Sequence, residues 1–335
     1  KANRNTKEQT MQMPFEIILS LIKFLGGLAL VIKGADLLIS GASGLARRIG
    51  IPDAIIGLTL VAFGTSLPEF TINIKASLKD ASEITLGNVI GSNIANILLI
   101  LGISGLIRPV SIHLTFVKKE IPLNFLSTLI LFAMVSDTFL DGNGIALISR
   151  SEGLVLVTTF VGYIYFLTAF LERQAFKDGK QLGYLKGSIL IIIGLLGLIM
   201  GSEWTVSGGV ELATFLGISQ MIIGLFLIAV GTSLPELATS IVAAYKGNSD
   251  IAVGNILGSN IFNVSFVLGA SALINSIPVP TNVFKDMMIL FVATFLFFIS
   301  NYLGKKYTIS KAESITFLVI YILYAAYSWY LEVQG

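Results

Sequence analysis

Apolar residues run along this chain in stretches too long for the core of a soluble domain, and short polar connections separate them. Ten stretches reach the roughly 20 residues that carry a helix across a bilayer. They are 15–47, 51–79, 83–107, 121–140, 153–171, 185–215, 218–245, 250–275, 283–303 and 313–332. Several exceed that length, which predicts tilted or interrupted helices. Residues 1–14 are polar, with Lys1, Arg4, Lys7 and Glu8, and do not read as a secretory signal; the first span could serve as an uncleaved anchor.

Composition supports this pattern. Of 335 residues, 54% are hydrophobic and 13% are charged, about half the charged share of a soluble domain. A net charge of +2 supplies no basic footprint for nucleic acid, and the absence of Cys removes disulfides and thiolate metal sites. The expected fold class is an all-α polytopic membrane protein in a lipid bilayer, with no cofactor and no protein partner. Ten spans place both termini on one side, where seven Lys and Arg fall, against thirteen on the other. The positive-inside rule then predicts both termini outside and the 172–186 connection in the cytoplasm.

The chain is also internally duplicated. Residues 27–107 align with 194–274 at a constant offset of 167, with 39 identities in 81 positions. The densest matches are Gly64-Thr65-Ser66-Leu67-Pro68-Glu69 with Gly231-Thr232-Ser233-Leu234-Pro235-Glu236, and the segment Gly87 to Asn96 with Gly254 to Asn263. Each half holds five spans. An odd number makes the second half enter from the opposite side, so the expected organisation is a polar segment 1–14, a first repeat 15–171, a connection 172–184 and an inverted repeat 185–335. Inverted repeats with matching helix breaks point to a secondary transporter whose site lies between the halves.

The residues at the breaks suit a hard cation. Pro68 and Pro235 lack an N–H and clash with the carbonyls of Gly64 and Gly231, which predicts interrupted helices. Carbonyls from Ala62 to Thr65 and near Ala229 are then expected to lose helical partners. Glu69 and Glu236 follow at once, and no Lys or Arg lies centrally in these spans to neutralise them. Ser92 and Asn96 share a helix face, as do Ser259 and Asn263. Two carboxylates with neutral oxygens favour Ca²⁺ over Mg²⁺. A charge of −2 matches one Ca²⁺ or two monovalent cations, so exchange against Na⁺ or H⁺ follows.

These motifs resemble the cation/calcium exchanger superfamily, in particular prokaryotic sodium/calcium exchanger-like proteins, over nearly the whole chain. The resemblance implies four sites in a diamond between the second, third, seventh and eighth spans. Glu69 and Glu236 would bind Ca²⁺ with the backbone carbonyls of Thr65 and Thr232. Na⁺ would use the same glutamates with Ser66, Ser92, Ser233, Ser259 and the carbonyls of Ala62 and Ala229, while Asn96 and Asn263 would line the centre. The resemblance further implies sliding first and sixth spans, three Na⁺ per Ca²⁺, and a prokaryotic inner membrane. Asn at both central positions resembles the potassium-independent branch, and the acidic residue of calcium/proton exchangers after Gly-Asn is absent. Calcium/proton antiport is the runner-up; a cation channel or an intramembrane enzyme are the readings from other classes.

Outside this set, Asp36 and Glu203 correspond across the repeat and read as polar or ionic contacts, Asp36 with Lys33 one turn away. Asn88 and Asn255 read as braces for the broken helices. Asn93 and Asn260 fit either role.

Overall fold

In the computed structural model, residues 2–136, 146–169, 181–218, 229–280, 283–303 and 306–334 are described. Helix α1 runs Ala2–Ile49, taking in the polar segment from residue 2 onward. α2 (Asp53–Thr65) and α3 (Leu67–Ser77) meet at a 47° bend, and α4 spans Ser82–Ile107. α5 (Ile121–Val135) is entered through a π-helical turn, Phe116–Glu120, and α6 is Arg150–Ala169. The second half repeats this with α7 (Tyr184–Phe215), α8 (Ala229–Thr232), α9 (Leu234–Tyr245), α10 (Ser249–Ile274), α11 (Val283–Ser300) and α12 (Lys311–Gln334).

Among the described residues, seven of these helices are long and apolar enough to span a membrane, or eight when α2 and α3 count as one. The expected spans 121–140 and 218–245 are helical over Ile121–Val135, Ala229–Thr232 and Leu234–Tyr245, and parts of them, 137–140 and 219–228, lie outside the described residues. Residues 172–180 of the expected connection lie outside them too. The fold is an all-helical membrane protein whose small β pairs only join connections.

Those β pairs carry the internal symmetry. β1 (Val110–Ser111) follows α4 and pairs antiparallel with β4 (Thr308–Ile309), which precedes α12. β3 (Ile277–Pro278) follows α10 and pairs with β2 (Leu147–Ile148), which precedes α6. β1 and β3 differ by 167 residues, so each sheet is the other's counterpart and each stitches one half to the other.

Glycine decides how α1 meets α7. A Cβ on Gly34 would lie 2.7 Å from the Leu198 nitrogen, and one on Gly194 would lie 2.6 Å from that of Leu38. Gly27 and Gly201 approach the opposite backbone in the same way. Lipid tails are as apolar as side chains, so close backbone approach is what makes helices associate in a bilayer. At the centre, α10 is buried from Ile251 to Ile261 without interruption, with Asn255, Ser259 and Asn260 among the buried residues. Gly254 and Gly258 bring it onto α2, where Cβ atoms would stand 2.9 Å and 2.4 Å from the carbonyl oxygens of Ala54 and Leu58.

Candidate functional site between the two halves

Both expected breaks are present, one residue each. Ser66 (φ −85°, ψ 9°) separates α2 from α3, and Ser233 (φ −90°, ψ 11°) separates α8 from α9. In both cases Pro occupies the first turn of the following helix, where its missing N–H costs nothing, and Glu comes next. Glu69 and Glu236 thus sit in a helix's first turn, where the dipole favours negative charge. Both are 1% exposed.

The serines cross between the halves. Ser66 Oγ donates to Glu236 Oε1 at 2.8 Å, and Ser233 Oγ donates to Glu69 Oε1 at 3.3 Å. Ser259 Oγ lies 2.9 Å from Ser66 Oγ and donates to the Ala62 carbonyl at 3.4 Å. Ser92 stands beside Glu69, and Thr65 and Ser259 stand beside Glu236. The two carboxylates are close enough to repel each other. Each keeps one oxygen, Oε2, buried with no hydrogen-bond partner.

Of the carbonyls expected to lose helical partners, that of Ala62 keeps its own. The Ala62 carbonyl still accepts the Ser66 N–H at 3.0 Å and is 3.2 Å from Thr65 Oγ1. The break falls after Ala62 rather than around it. Thr65 is fully buried, and Thr232 is half-buried at the end of α8, the helix that also carries Ala229.

Asn88 and Asn255 brace the breaks, as the repeat suggests. Asn88 Nδ2 donates to the Glu69 carbonyl at 3.2 Å and Asn73 Oδ1 at 2.6 Å, and Asn255 Nδ2 to the Glu236 carbonyl at 3.3 Å and Ser240 Oγ at 3.0 Å. Thr65 Oγ1 donates to Asn255 Oδ1 at 3.1 Å, a further contact across the halves.

Asn96 and Asn263 are each the second residue of a π-helical turn, Ala95–Ile100 in α4 and Phe262–Val267 in α10. Such turns are frequent at functional sites because they widen the helix and re-aim its side chains. Both residues are 1% exposed, and the Oδ1 of each has no hydrogen-bond partner. Their Nδ2 atoms are held by Asn260 and Asn93, a role the sequence left open. Two things escaped the sequence reading. Asn73 supports Asn88 without a matching Asn at its counterpart, Ser240. Asp36 pairs with Lys33 at 3.2 Å as expected, but also with the distant Lys246 at 2.5 Å.

The comparisons with known proteins agree with this arrangement. A family model described as sodium/calcium exchanger protein matches residues 19–169 and 186–330, segments that fall within the expected repeats 15–171 and 185–335. The chain is 40% identical over 272 residues to inner membrane protein YrbG of Escherichia coli K12, covering 77% of this chain and 81% of that one. It is 28% identical over 354 residues to sodium/calcium exchanger MaX1 of Methanosarcina acetivorans, covering 94% of this chain and 100% of the relative. The solved structure of the sodium-calcium exchanger NCX_Mj soaked with Na⁺ and Ca²⁺ superposes with a TM-score of 0.79 at 32% identity, over 92% of this chain and 98% of that one. Two matched halves, a shared helical fold and a buried carboxylate at each helix break place this chain in the sodium/calcium exchanger protein family.

Proposed function

We propose that the chain exchanges Ca²⁺ for Na⁺ by alternating access, at one site that its two halves build together. The observation that carries this reading is the pair Glu69 and Glu236: buried, mutually close, each bonded to a serine of the other half, and each with an oxygen unspoken for. Two carboxylates in a low-dielectric interior require neutralisation. One Ca²⁺ supplies it, and so do two Na⁺ on the same oxygens, so occupancy by one ion excludes the other. That competition at a single site is what antiport needs.

In this reading Ca²⁺ takes the glutamates together with the carbonyls of Thr65 and Thr232. Na⁺ takes the glutamates with Ser66, Ser92, Ser233, Ser259 and the carbonyls of Ala62 and Ala229, and Asn96 and Asn263 line the centre. A set of oxygens without His or Cys is the chemistry of hard cations. Relatives named as sodium/calcium exchangers support Na⁺ as the counter-ion, and a stoichiometry of three Na⁺ per Ca²⁺ would make the cycle electrogenic. The charge bias of the connections supports termini outside and the 172–186 connection in the cytoplasm. The second reading is calcium/proton antiport, because protons also neutralise a buried carboxylate pair.

The test is Ca²⁺ uptake into proteoliposomes loaded with Na⁺, beside a matched pH gradient without Na⁺. Uptake driven by Na⁺ and absent in Glu69→Gln and Glu236→Gln establishes the proposal. Uptake that follows only the pH gradient moves the protein to proton coupling, and no Ca²⁺ flux under either gradient removes calcium as substrate.

A further inference from the structure

Four buried asparagines face one another where α4 crosses α10. Asn93 and Asn96 lie three residues apart on one helix face, and Asn260 and Asn263 do so on the other. All four are 1% exposed. Their bonds run between the halves, never along one helix: Asn96 Nδ2 donates to Asn260 Oδ1 at 2.8 Å, and Asn263 Nδ2 donates to Asn93 Oδ1 at 3.1 Å. Asn93 Nδ2 in turn donates to the Asn260 backbone carbonyl at 3.2 Å. Three atoms of the group have no partner: Asn96 Oδ1, Asn263 Oδ1 and Asn260 Nδ2.

A side-chain amide has an oxygen that attracts a cation and an NH₂ that repels it, and a half-turn exchanges them. Nothing in an isolated Asn decides which end faces an ion. Here the decision is made from outside. The Oδ1 atoms of Asn260 and Asn93 can only accept hydrogen bonds, so each selects the NH₂ of its partner and turns that partner's oxygen the other way. A flipped Asn263 would set its oxygen against that of Asn93, whose own amide is held by its bond to the Asn260 carbonyl, and two amide oxygens facing each other in a buried site are costly.

We propose that Asn93 and Asn260 are positioning residues for transport, each fixing the amide of the opposite half's central asparagine so that its carbonyl oxygen faces the ion. This rests on the reading of Asn96 and Asn263 as lining the ion site. The clamp explains why Asn stands at all four positions, and why Gly-Ser-Asn-Ile-x-Asn recurs as a unit in both halves. It also makes the centre of the site a joint property of the two halves, since neither can aim its own Asn.

The experiment is a set of double-mutant cycles on the full-length protein, read by calorimetric Ca²⁺ titration in detergent and by Na⁺-driven Ca²⁺ uptake. Asn260→Ala is expected to weaken Ca²⁺ binding about tenfold, the worth of one buried hydrogen bond and the flip it prevents. That loss should vanish in an Asn96→Ala background and persist in Asn263→Ala; Asn93→Ala should show the reverse. Asn260→Asp keeps the accepting oxygen and adds a negative charge beside the site that a bound cation neutralises, so it should bind Ca²⁺ at least as tightly as the parent chain. Should an alanine variant fail to fold, Asn260→Ser and Asn93→Ser carry the same cycles. Losses that simply add in every background overturn the clamp while leaving the ion site intact. Wild-type Ca²⁺ affinity in both Asn96→Ala and Asn263→Ala overturns the reading of the central site, and the clamp with it.

Discussion

Lys246 Nζ lies 2.5 Å from Asp36 Oδ1, tying the turn after α9 to α1. The same lysine reaches Ser40 Oγ at 3.1 Å, and Asn248 bonds Ser43 and Asp53 beside it. Ala238, Val242 and Ala243 of α9 join a hydrophobic cluster with Ala35, Leu38, Ile39 and Ala42 of α1. The counterparts of the ion pair are Lys79 and Glu203. Both are exposed, and among the described residues neither makes an ion pair. Leu67, Thr71 and Lys75 of α3 are exposed where their α9 counterparts, Leu234, Ala238 and Val242, are half-buried. The two halves share a sequence pattern but stand in different packing states at α1 and α7.

Asp36→Asn should therefore loosen α1 from α9. A pair about one-third exposed is worth no more than about 1 kcal/mol, a shift of up to about fivefold in a two-state ratio. The chain has no Cys, so an introduced Ala238→Cys can be followed alone. Its labelling by a membrane-impermeant thiol reagent should rise in Asp36→Asn and fall again in the charge-swapped Asp36→Lys, Lys246→Asp pair. Unchanged labelling would show that the contact is incidental.

The two glutamates should prove equivalent. Removing either charge leaves a divalent ion half neutralised in a buried site, so Glu69→Gln and Glu236→Gln should each cut Ca²⁺ transport at least about a hundredfold. Initial rates of Ca²⁺ uptake decide this. A variant that retained most of its rate would remove that glutamate from the site.

The cross-half serines should not be equivalent. A hydrogen bond to a charged group is worth about 1.5–3 kcal/mol, and Ser66 makes it at 2.8 Å against 3.3 Å for Ser233. Ser66→Ala should raise the KM for Ca²⁺ by roughly tenfold, and Ser233→Ala by only about threefold. The reverse order would contradict the geometry.

Gly258 should tolerate no methyl group. Its Cβ would stand 2.4 Å from the Leu58 carbonyl oxygen, a backbone atom that cannot swing aside. Gly258→Ala should cost about 1–3 kcal/mol and lower the melting temperature in detergent by roughly 2–8 °C. Gly162 of α6 has no atom within 4 Å of its Cβ position, so Gly162→Ala should be neutral or slightly stabilising.

Much of the site was legible in the chain itself, because its cause is local. Pro68 and Pro235 remove an N–H and favour a helix's first turn, so the interruptions at Ser66 and Ser233 fall just before them, and Glu69 and Glu236 follow by sequence alone. The constant offset of 167 foretold that the elements would recur, as the π-helical turns at Asn96 and Asn263 do. Long apolar runs fixed the helical membrane class, since a bilayer core leaves backbone groups no partner but the helix itself. What the chain could not disclose were partners chosen across the fold. Two identical motifs give no sign that Ser66 serves Glu236 rather than Glu69, or that Asn96 is held by Asn260. Nor does a repeat say that Lys246 meets Asp36 while Lys79 stands apart from Glu203. Those choices depend on how close glycine lets α1 approach α7 and α10 approach α2, and on which of two packing states the symmetric halves adopt. Packing in three dimensions decides both.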